Sequence, residues 1–305
     1  LDNVIKKYTG KSLPINFSPI TFGSWMGGDR DGNPYVTKEI TEEVVLLSRW
    51  SAANLYEKEL TKLIQDLSMH ECSKAISHNQ GKDGRRGPWE PYRVFLRPIR
   101  DKMKTTQSAI ELYLNNRVNL NQSLMVQSID ELIEPLTDVY NSLCSVKCEV
   151  IANGLTLNLL RRAYAFGLSL AKLDIRQSAE KHQDLIAGIT KHIGLGNYKE
   201  WTEEQKISFL AKEFESKRPL IPHNINLNKE NLEVWQTFKM ISKLPDECLG
   251  AYVISMASSV SDILAVLVLQ KEAGIKSYLR TVPLFETYAD LQNSDQIMEK
   301  LYKTN

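Results

Sequence analysis

The stretch Leu170–Gln177, LAKLDIRQ, restricts the fold of this chain more than any other. Lys172, Asp174 and Arg176 alternate with Leu173 and Ile175, and a period of two marks a strand. One face of that strand is fully charged. On an edge facing water such a face is unremarkable; in a closed barrel it would line a polar lumen. Before it, from Pro91 to about Gly154, the apolar spacing is helical, and Leu155–Phe166 reads as a further helix closed by Gly167. After it, strands and helices alternate. Helices are expected over Gln183–Ile193, after a Thr202/Gln205 cap, over Lys229–Lys243, and from Ser261–Asp262 to Gly274. Apolar strands are expected at Leu249–Met256 and Val282–Phe285, and a last helix capped by Ser294. This order implies parallel strands covered by helices.

A second unusual stretch lies near the start. Thr21–Pro34, TFGSWMGGDRDGNP, holds four of the fifteen glycines beside the charges Asp29, Arg30 and Asp31. Glycine serves positive φ and close backbone approach, and Pro34 holds Asn33 out of the helical region. The pattern is a short strand feeding a tight charged loop. It is not a phosphate-binding P-loop, because no Gly-Lys-Ser/Thr follows. It is not GxGxxG, because Asp29 stands where the second glycine is needed. It is not an EF-hand, whose sixth and twelfth places would be Pro34 and Ile40 instead of Gly and Glu. By itself it also reads as a structural turn with an internal ion pair.

Thr37 is placed to cap a long helix that ends near Met69, with Ser128–Glu131 forming a capping box further on. Between them Cys72–Pro91 is long for a connection. It carries Lys82, Arg85 and Arg86, with Arg93, Arg97 and Arg100 following. That run reads first as a solvated basic face and second as an anion site. The expected architecture is mainly α with part of an α/β (TIM-like) barrel, a large helical shell around a few parallel strands. Residues 20–36 would give the first barrel strand and its glycine-rich loop, 37–167 the helical region, and 168–305 the remaining strands with inserted helices.

Composition removes several classes. The 305 residues carry 38 basic and 37 acidic side chains, without the basic excess of a nucleic-acid footprint. No apolar run approaches the length of a membrane span, and LDNVIKKY has no signal core. Four cysteines are few for a disulfide scaffold; Cys144 and Cys148 read as buried free thiols. Sequons at Asn16 and Asn121 read as chance matches. A reducing cytoplasm fits these features.

The stretch FGSWMGGDRDGNP resembles the signature of the phosphoenolpyruvate carboxylase family, in its bacterial type. LAKLDIRQ, AYVISMA at Ala251–Ala257 and VPLFET at Val282–Thr287 follow in the family's order. Echoes occur at Glu90–Arg93 (EPYR) and Ser216–Leu220 (SKRPL), so the resemblance covers nearly the whole chain. Two departures are Ser258-Ser259-Val260, where a basic residue, Thr and Pro are usual, and Tyr288-Ala289, where Leu and Asp are commoner.

The resemblance implies an enzyme that joins bicarbonate to phosphoenolpyruvate, giving oxaloacetate and phosphate, with Mg²⁺ or Mn²⁺. By the motif matches, Arg176 would hold the substrate phosphate and Glu286 the metal. Trp25 and Leu284 would form the apolar wall against the substrate's methylene, and Asp29, Arg30 and Asp31 would shape the loop. All these sites end strands, and barrel active sites gather there. Arg176 and Glu286 are therefore expected within about 10–12 Å of each other, two to three strand spacings. The residues alone leave blander roles open: Arg176 paired with Asp174 or another carboxylate, Glu286 at a helix N-terminus, Trp25 in the core.

None of the five histidines has the Thr-Ala-His-Pro-Thr context of the family's catalytic base. A second metal carboxylate and a Gly-Arg-Gly-Gly loop are expected beyond Asn305. The start without Met and the helical pattern at the end suggest a central third of the enzyme, inactive alone and, at full length, a cytoplasmic homo-oligomer (the family tetramer). Two other readings compete. A non-catalytic helical interaction module would keep the strands as scaffold and would not need polar strand ends. A different phosphate-handling barrel would not account for four ordered motifs.

Overall fold

Gly167, with φ 57°, closes the last helix before the strand Lys172–Ser178. The computed structural model describes residues 2–70, 72, 76, 90–116 and 120–304. They form two compact units, Leu1–Phe22 with Val45–Ala171, and Gly23–Val44 with Lys172–Asn305. The chain is mostly helical, with one small parallel sheet of four strands. No described helix is long and apolar enough to cross a membrane.

The first unit is helical. It contains α1 (Asp2–Thr9), most of α2 (Lys38–Asp66), α3 (Pro91–Asn116), α4 (Asp130–Ser145) and α5 (Leu157–Phe166). Leu46 of α2, Ile110 of α3 and Met125 are fully buried together, with Trp50 and Tyr113 packed against them. Each such side chain contributes about 1.5–3 kcal/mol. The helical run does not stop at Asn153-Gly154. Glu149–Ile151 passes through a π-helical turn, Ala152–Thr156, into α5, and Gly154 absorbs the kink with ψ −120°. The expected Ser128–Glu131 capping box does not form: the N-cap of α4 is Ile129 with no side-chain cap bond, while Ser128 Oγ accepts from Asp130 N–H and Glu131 from Gln127 N–H.

The basic segment with Lys82, Arg85 and Arg86 lies outside the described residues. Of the arginines after it, Arg93 donates to the carbonyls of Ile64 and Gln65 and pairs with Glu90. Arg100 pairs with Asp101. Both are engaged within the unit. The cysteines are free thiols, and Cys144 and Cys148 are half-buried, not fully buried as expected.

The second unit holds the sheet. Its strands are β1 (Gly23–Ser24), β2 (Lys172–Ser178), β3 (Leu249–Ser255) and β4 (Arg280–Pro283), in sequence order and all parallel. Parallel neighbours need long crossovers. Three helices lie between β2 and β3: α6 (Ala179–His192), α7 (Glu203–Glu215) and α8 (Lys229–Ile241). One, α9 (Val260–Glu272), joins β3 to β4, and α10 (Tyr288–Lys303) follows β4. The apolar side of β2 is buried as its alternation requires, with Leu173 and Ile175 nearly inaccessible.

Helix α9 is buried on almost every side, as its apolar run demands. Its cap sits in the departure from the family pattern. Ser259 is the N-cap, and Asp262 Oδ2 accepts from the N–H groups of Ser258 and Ser259. Val260 takes the first helical position, where a proline is also favoured. The replacement therefore keeps the cap. The final helix starts earlier than expected: Thr287 and Asp290 form its capping box, and Ser294 lies inside it.

Asp174 shapes the centre of the sheet. The register between β2 and β3 shifts between Leu173 and Ile175. There Asp174 Oδ1 accepts the N–H of Ala251 at 2.7 Å, in place of a backbone carbonyl. Gly250 makes room for it, since a Cβ at 250 would lie 2.1 Å from that oxygen.

Candidate functional site at the strand ends

The site begins with a turn. The carbonyl of Trp25 accepts from the N–H groups of Gly28 and Asp29, at 2.9 and 3.1 Å. Gly27 has φ 80°, and a Cβ on it would strike Val44 at 2.5 Å. Gly28 lies directly on β2, where a Cβ would come within 2.0 Å of the Asp174 carbonyl. Arg176 N–H donates to the Gly28 carbonyl, and Arg30 N–H to the Arg176 carbonyl, both at 2.9 Å. The glycines thus let the loop extend the sheet by one bridge, Asp29 to Arg176.

Alternation then separates the three charges of the loop. The Arg30 side chain is buried, with Nη1 donating to the Gly28 carbonyl at 3.0 Å and Nη2 to Thr41 Oγ1 at 2.5 Å. Burial pulls its pKa below the ordinary arginine value, while Tyr252, Glu233 and Asp29 act to raise it. Asp29 and Asp31 face Arg176 instead. Arg176 Nη2 lies 2.8 Å from Asp31 Oδ2, and Nε lies 3.8 Å from Asp29 Oδ1.

The third carboxylate comes from the far end of the chain. Leu284 N–H donates to the Ile254 carbonyl at 2.8 Å and Ala257 N–H to the Leu284 carbonyl at 3.2 Å. These bonds continue the β3–β4 ladder past Pro283. Glu286 follows, with Oε1 2.9 Å from Arg176 Nη2 and Oε2 accepting from Met256 N–H at 3.3 Å. Met256 is in the left-handed region, φ 54°, an uncommon state for a residue with a side chain. Glu286 precedes the N-cap of α10 and is engaged elsewhere, so it is not an ordinary cap of that helix.

Direct contact therefore joins Arg176, Asp29, Asp31 and Glu286. Of the alternatives left open by the sequence, Arg176 does pair with carboxylates, those of Asp31 and Glu286, but not with Asp174. Trp25 is 68% exposed, so it is not core; it and Leu284 flank the cluster through the backbone bonds above. A cavity of about 720 Å³ nearby is lined by Arg30, Gln177, Lys181, Lys229, Glu230 and Glu233 among others, and by none of Trp25, Arg176, Leu284 or Glu286. The sequence reading missed Asp31 as a direct partner of Arg176. The signal was present in Asp29-Arg30-Asp31, because in extended backbone alternate residues share a face.

The donor set can be tested against a divalent cation. Among the described residues no cluster of three or more His, Cys, Asp or Glu could hold a metal. Glu286 by itself fits as one ligand, since each of its oxygens accepts a single hydrogen bond and retains a lone pair. Mg²⁺ commonly takes one or two carboxylates and completes its shell with water and substrate oxygens.

Fold and site together define a parallel α/β unit with an arginine–carboxylate cluster at the carboxyl ends of its strands. The model of the family described as phosphoenolpyruvate carboxylase matches residues 1–305. A phosphoenolpyruvate carboxylase of Acinetobacter baylyi is 44% identical over 309 residues, covering 99% of this chain and 34% of the relative. Those of Psychromonas ingrahamii and Haemophilus influenzae are 43% and 41% identical over 302 and 303 residues, with the same shares covered. The chain belongs to the phosphoenolpyruvate carboxylase family. It spans about a third of the length of the curated relatives it matches.

Proposed function

We propose that these residues supply part of the active site of a cytoplasmic phosphoenolpyruvate carboxylase, which carboxylates phosphoenolpyruvate with bicarbonate to give oxaloacetate and phosphate. The observation that carries the reading is the contact of Arg176 with Glu286 at the strand ends, made by residues from two of the family's motifs. We read the sheet as part of an α/β barrel, with residues 20–36 and 168–305 giving strands and inserted helices and 37–167 the helical shell. The parallel order of the strands and the helices between them support that reading.

In this mechanism Arg176 binds the phosphate of the substrate, to which its planar fork is matched. Bicarbonate oxygen attacks the phosphorus, the bond to the enol oxygen breaks, and carboxyphosphate and pyruvate enolate form. Carboxyphosphate then splits into CO₂ and phosphate, and the enolate carbon attacks CO₂. Glu286 would hold Mg²⁺ or Mn²⁺, which when bound supplies positive charge to the developing enolate. Leu284 and Trp25 wall the methylene side and keep water from the enolate carbon. Full activity needs a base and further ligands outside these roles, and we expect a homo-oligomer.

The test is a chimera. The third of the Acinetobacter baylyi relative that matches is replaced by this chain, and bicarbonate-dependent oxaloacetate formation is measured. Activity is expected, and it should depend on Arg176 and Glu286. A folded, inactive chimera would support the competing reading, a helical interaction module that retains the strands as scaffold.

A further inference from the structure

This inference rests on the reading of Arg176 as the phosphate-binding group and concerns how that group is held. Nη2 has two hydrogens, and two carboxylates accept them: Asp31 Oδ2 at 2.8 Å and Glu286 Oε1 at 2.9 Å. Nε makes no hydrogen bond. A guanidinium grips a phosphate best with two parallel N–H groups. A grip that includes Nη2 requires one of the two carboxylates to give way.

The two differ in how firmly they are placed. Asp31 belongs to the loop stitched to β2 by the Gly28–Arg176 and Arg30–Arg176 backbone bonds. Its own N–H donates to Asp29 Oδ1 at 3.0 Å. The neighbouring Arg30 is buried and anchored on Gly28 and Thr41. The two backbone bonds tie the loop to the strand that carries Arg176, and the other contacts hold Asp31 within that loop. Glu286 lies on the connection between β4 and α10, and its second hydrogen bond, from Met256 N–H, is 3.3 Å long.

We infer that Asp31 is the positioning residue of Arg176: it stays on Nη2 and aims the guanidinium, while Glu286 holds the place that the substrate phosphate takes. Orientation and charge oppose each other at Asp31. As a mere counter-charge it would weaken anion binding, and its removal would strengthen it. As a positioning residue it aids binding, and moving the carboxylate is as harmful as neutralising it.

Asp31→Asn and Asp31→Glu in the chimera separate the two roles. The first removes the charge; the second keeps it and displaces the carboxylate by one methylene. Groups that orient a metal ligand are worth about 10- to 100-fold, and by analogy the same scale holds for a group that orients a phosphate-binding arginine. Both variants should raise KM for phosphoenolpyruvate and the inhibition constant of inorganic phosphate by about tenfold or more, with a much smaller change in kcat, the pattern of lost uniform binding. A lower KM in Asp31→Asn, or an unchanged KM in Asp31→Glu, overturns the inference. If both variants leave KM unchanged while Arg176→Lys raises it, the positioning role fails and the reading of Arg176 stands. If Arg176→Lys also leaves KM unchanged, the reading of the site itself fails. If neither Asp31 variant accumulates as folded protein, Asp31 is a folding residue and the inference falls.

Discussion

Arg176 and Glu286 are 110 positions apart in the chain, yet Nη2 of one lies 2.9 Å from Oε1 of the other. Their strands are not neighbours. Strand β3 lies between β2 and β4, so the backbones stand two spacings of about 4.8 Å apart. Two long side chains lean across the end of β3 and close that gap. The spacings put the two residues within about 10–12 Å of each other, and the side chains meet well inside that bound.

Replacing Arg176 with Lys keeps one charge and removes the fork. Charge-assisted hydrogen bonds are worth about 1.5–3 kcal/mol, and about 1.4 kcal/mol is a decade in rate. The chimera's kcat/KM for phosphoenolpyruvate should fall by about ten- to a hundredfold. Steady-state kinetics decide it, and unchanged values would reduce Arg176 to a structural ion pair.

Gly28→Ala should destabilise the second unit. The new Cβ would meet backbone, the Asp174 carbonyl at 2.0 Å, so the loop must lift off β2. Overpacking of this kind costs about 1–3 kcal/mol. A urea denaturation midpoint equal to that of the parent would show that the loop is not docked on the strand.

Asp174→Ala leaves the N–H of Ala251 without its acceptor. An unmet buried donor costs about 1–3 kcal/mol. Asp174→Asn retains a carbonyl oxygen at the same place and should cost clearly less. Equal losses in the two variants, read from urea titrations, would mean that the charge matters and not the hydrogen bond.

Acid should weaken the fold through His182. Its ring is fully buried, with Nε2 2.8 Å from the Tyr252 hydroxyl, and desolvation pulls its pKa from 6.5 down to about 3. The unfolded chain takes up a proton on this group near pH 6.5 while the folded chain does not. Stability is therefore complete above about pH 6.5 and declines as pH falls toward 3, by up to about 1.4 kcal/mol per pH unit. In His182→Gln that share of the slope should vanish. Parallel stability curves for parent and variant between pH 6.5 and 4.5 would place the ring in contact with water.

The 305-residue chain by itself should form no oxaloacetate. Glu286 is the one carboxylate assigned to the cation, and Arg176 is engaged by Asp31 and Glu286. Mg²⁺ gives up its waters reluctantly for a single carboxylate. A coupled assay with bicarbonate and Mg²⁺ checks this, and turnover above background would reveal a complete site within these residues.

Much of this protein was legible along the chain. Period two at Leu170–Gln177 gave β2 and its charged face, and apolar runs gave β3 and β4. Glycine at 167 marked the end of α5, and Thr202 with Gln205 marked the start of α7. These features are local, because φ/ψ preference, capping and alternation are decided within a few residues. Helix ends were less secure where two capping signals competed, as at Thr287 and Ser294. Partner choice lay beyond the sequence. Nothing local states that Asp174 turns to Ala251 while Arg176 turns to Asp31 and Glu286, since these carboxylates are chemically alike as partners for an arginine and the nearest in sequence is not the one used. That choice follows from strand order, from the register shift at Asp174, and from two glycines that bring the loop onto β2. The sequence by itself determined which elements form and which chemical groups end the strands. The tertiary structure alone decided which of those groups touch, because contact between residues 110 apart is set by the sheet that brings their strands side by side.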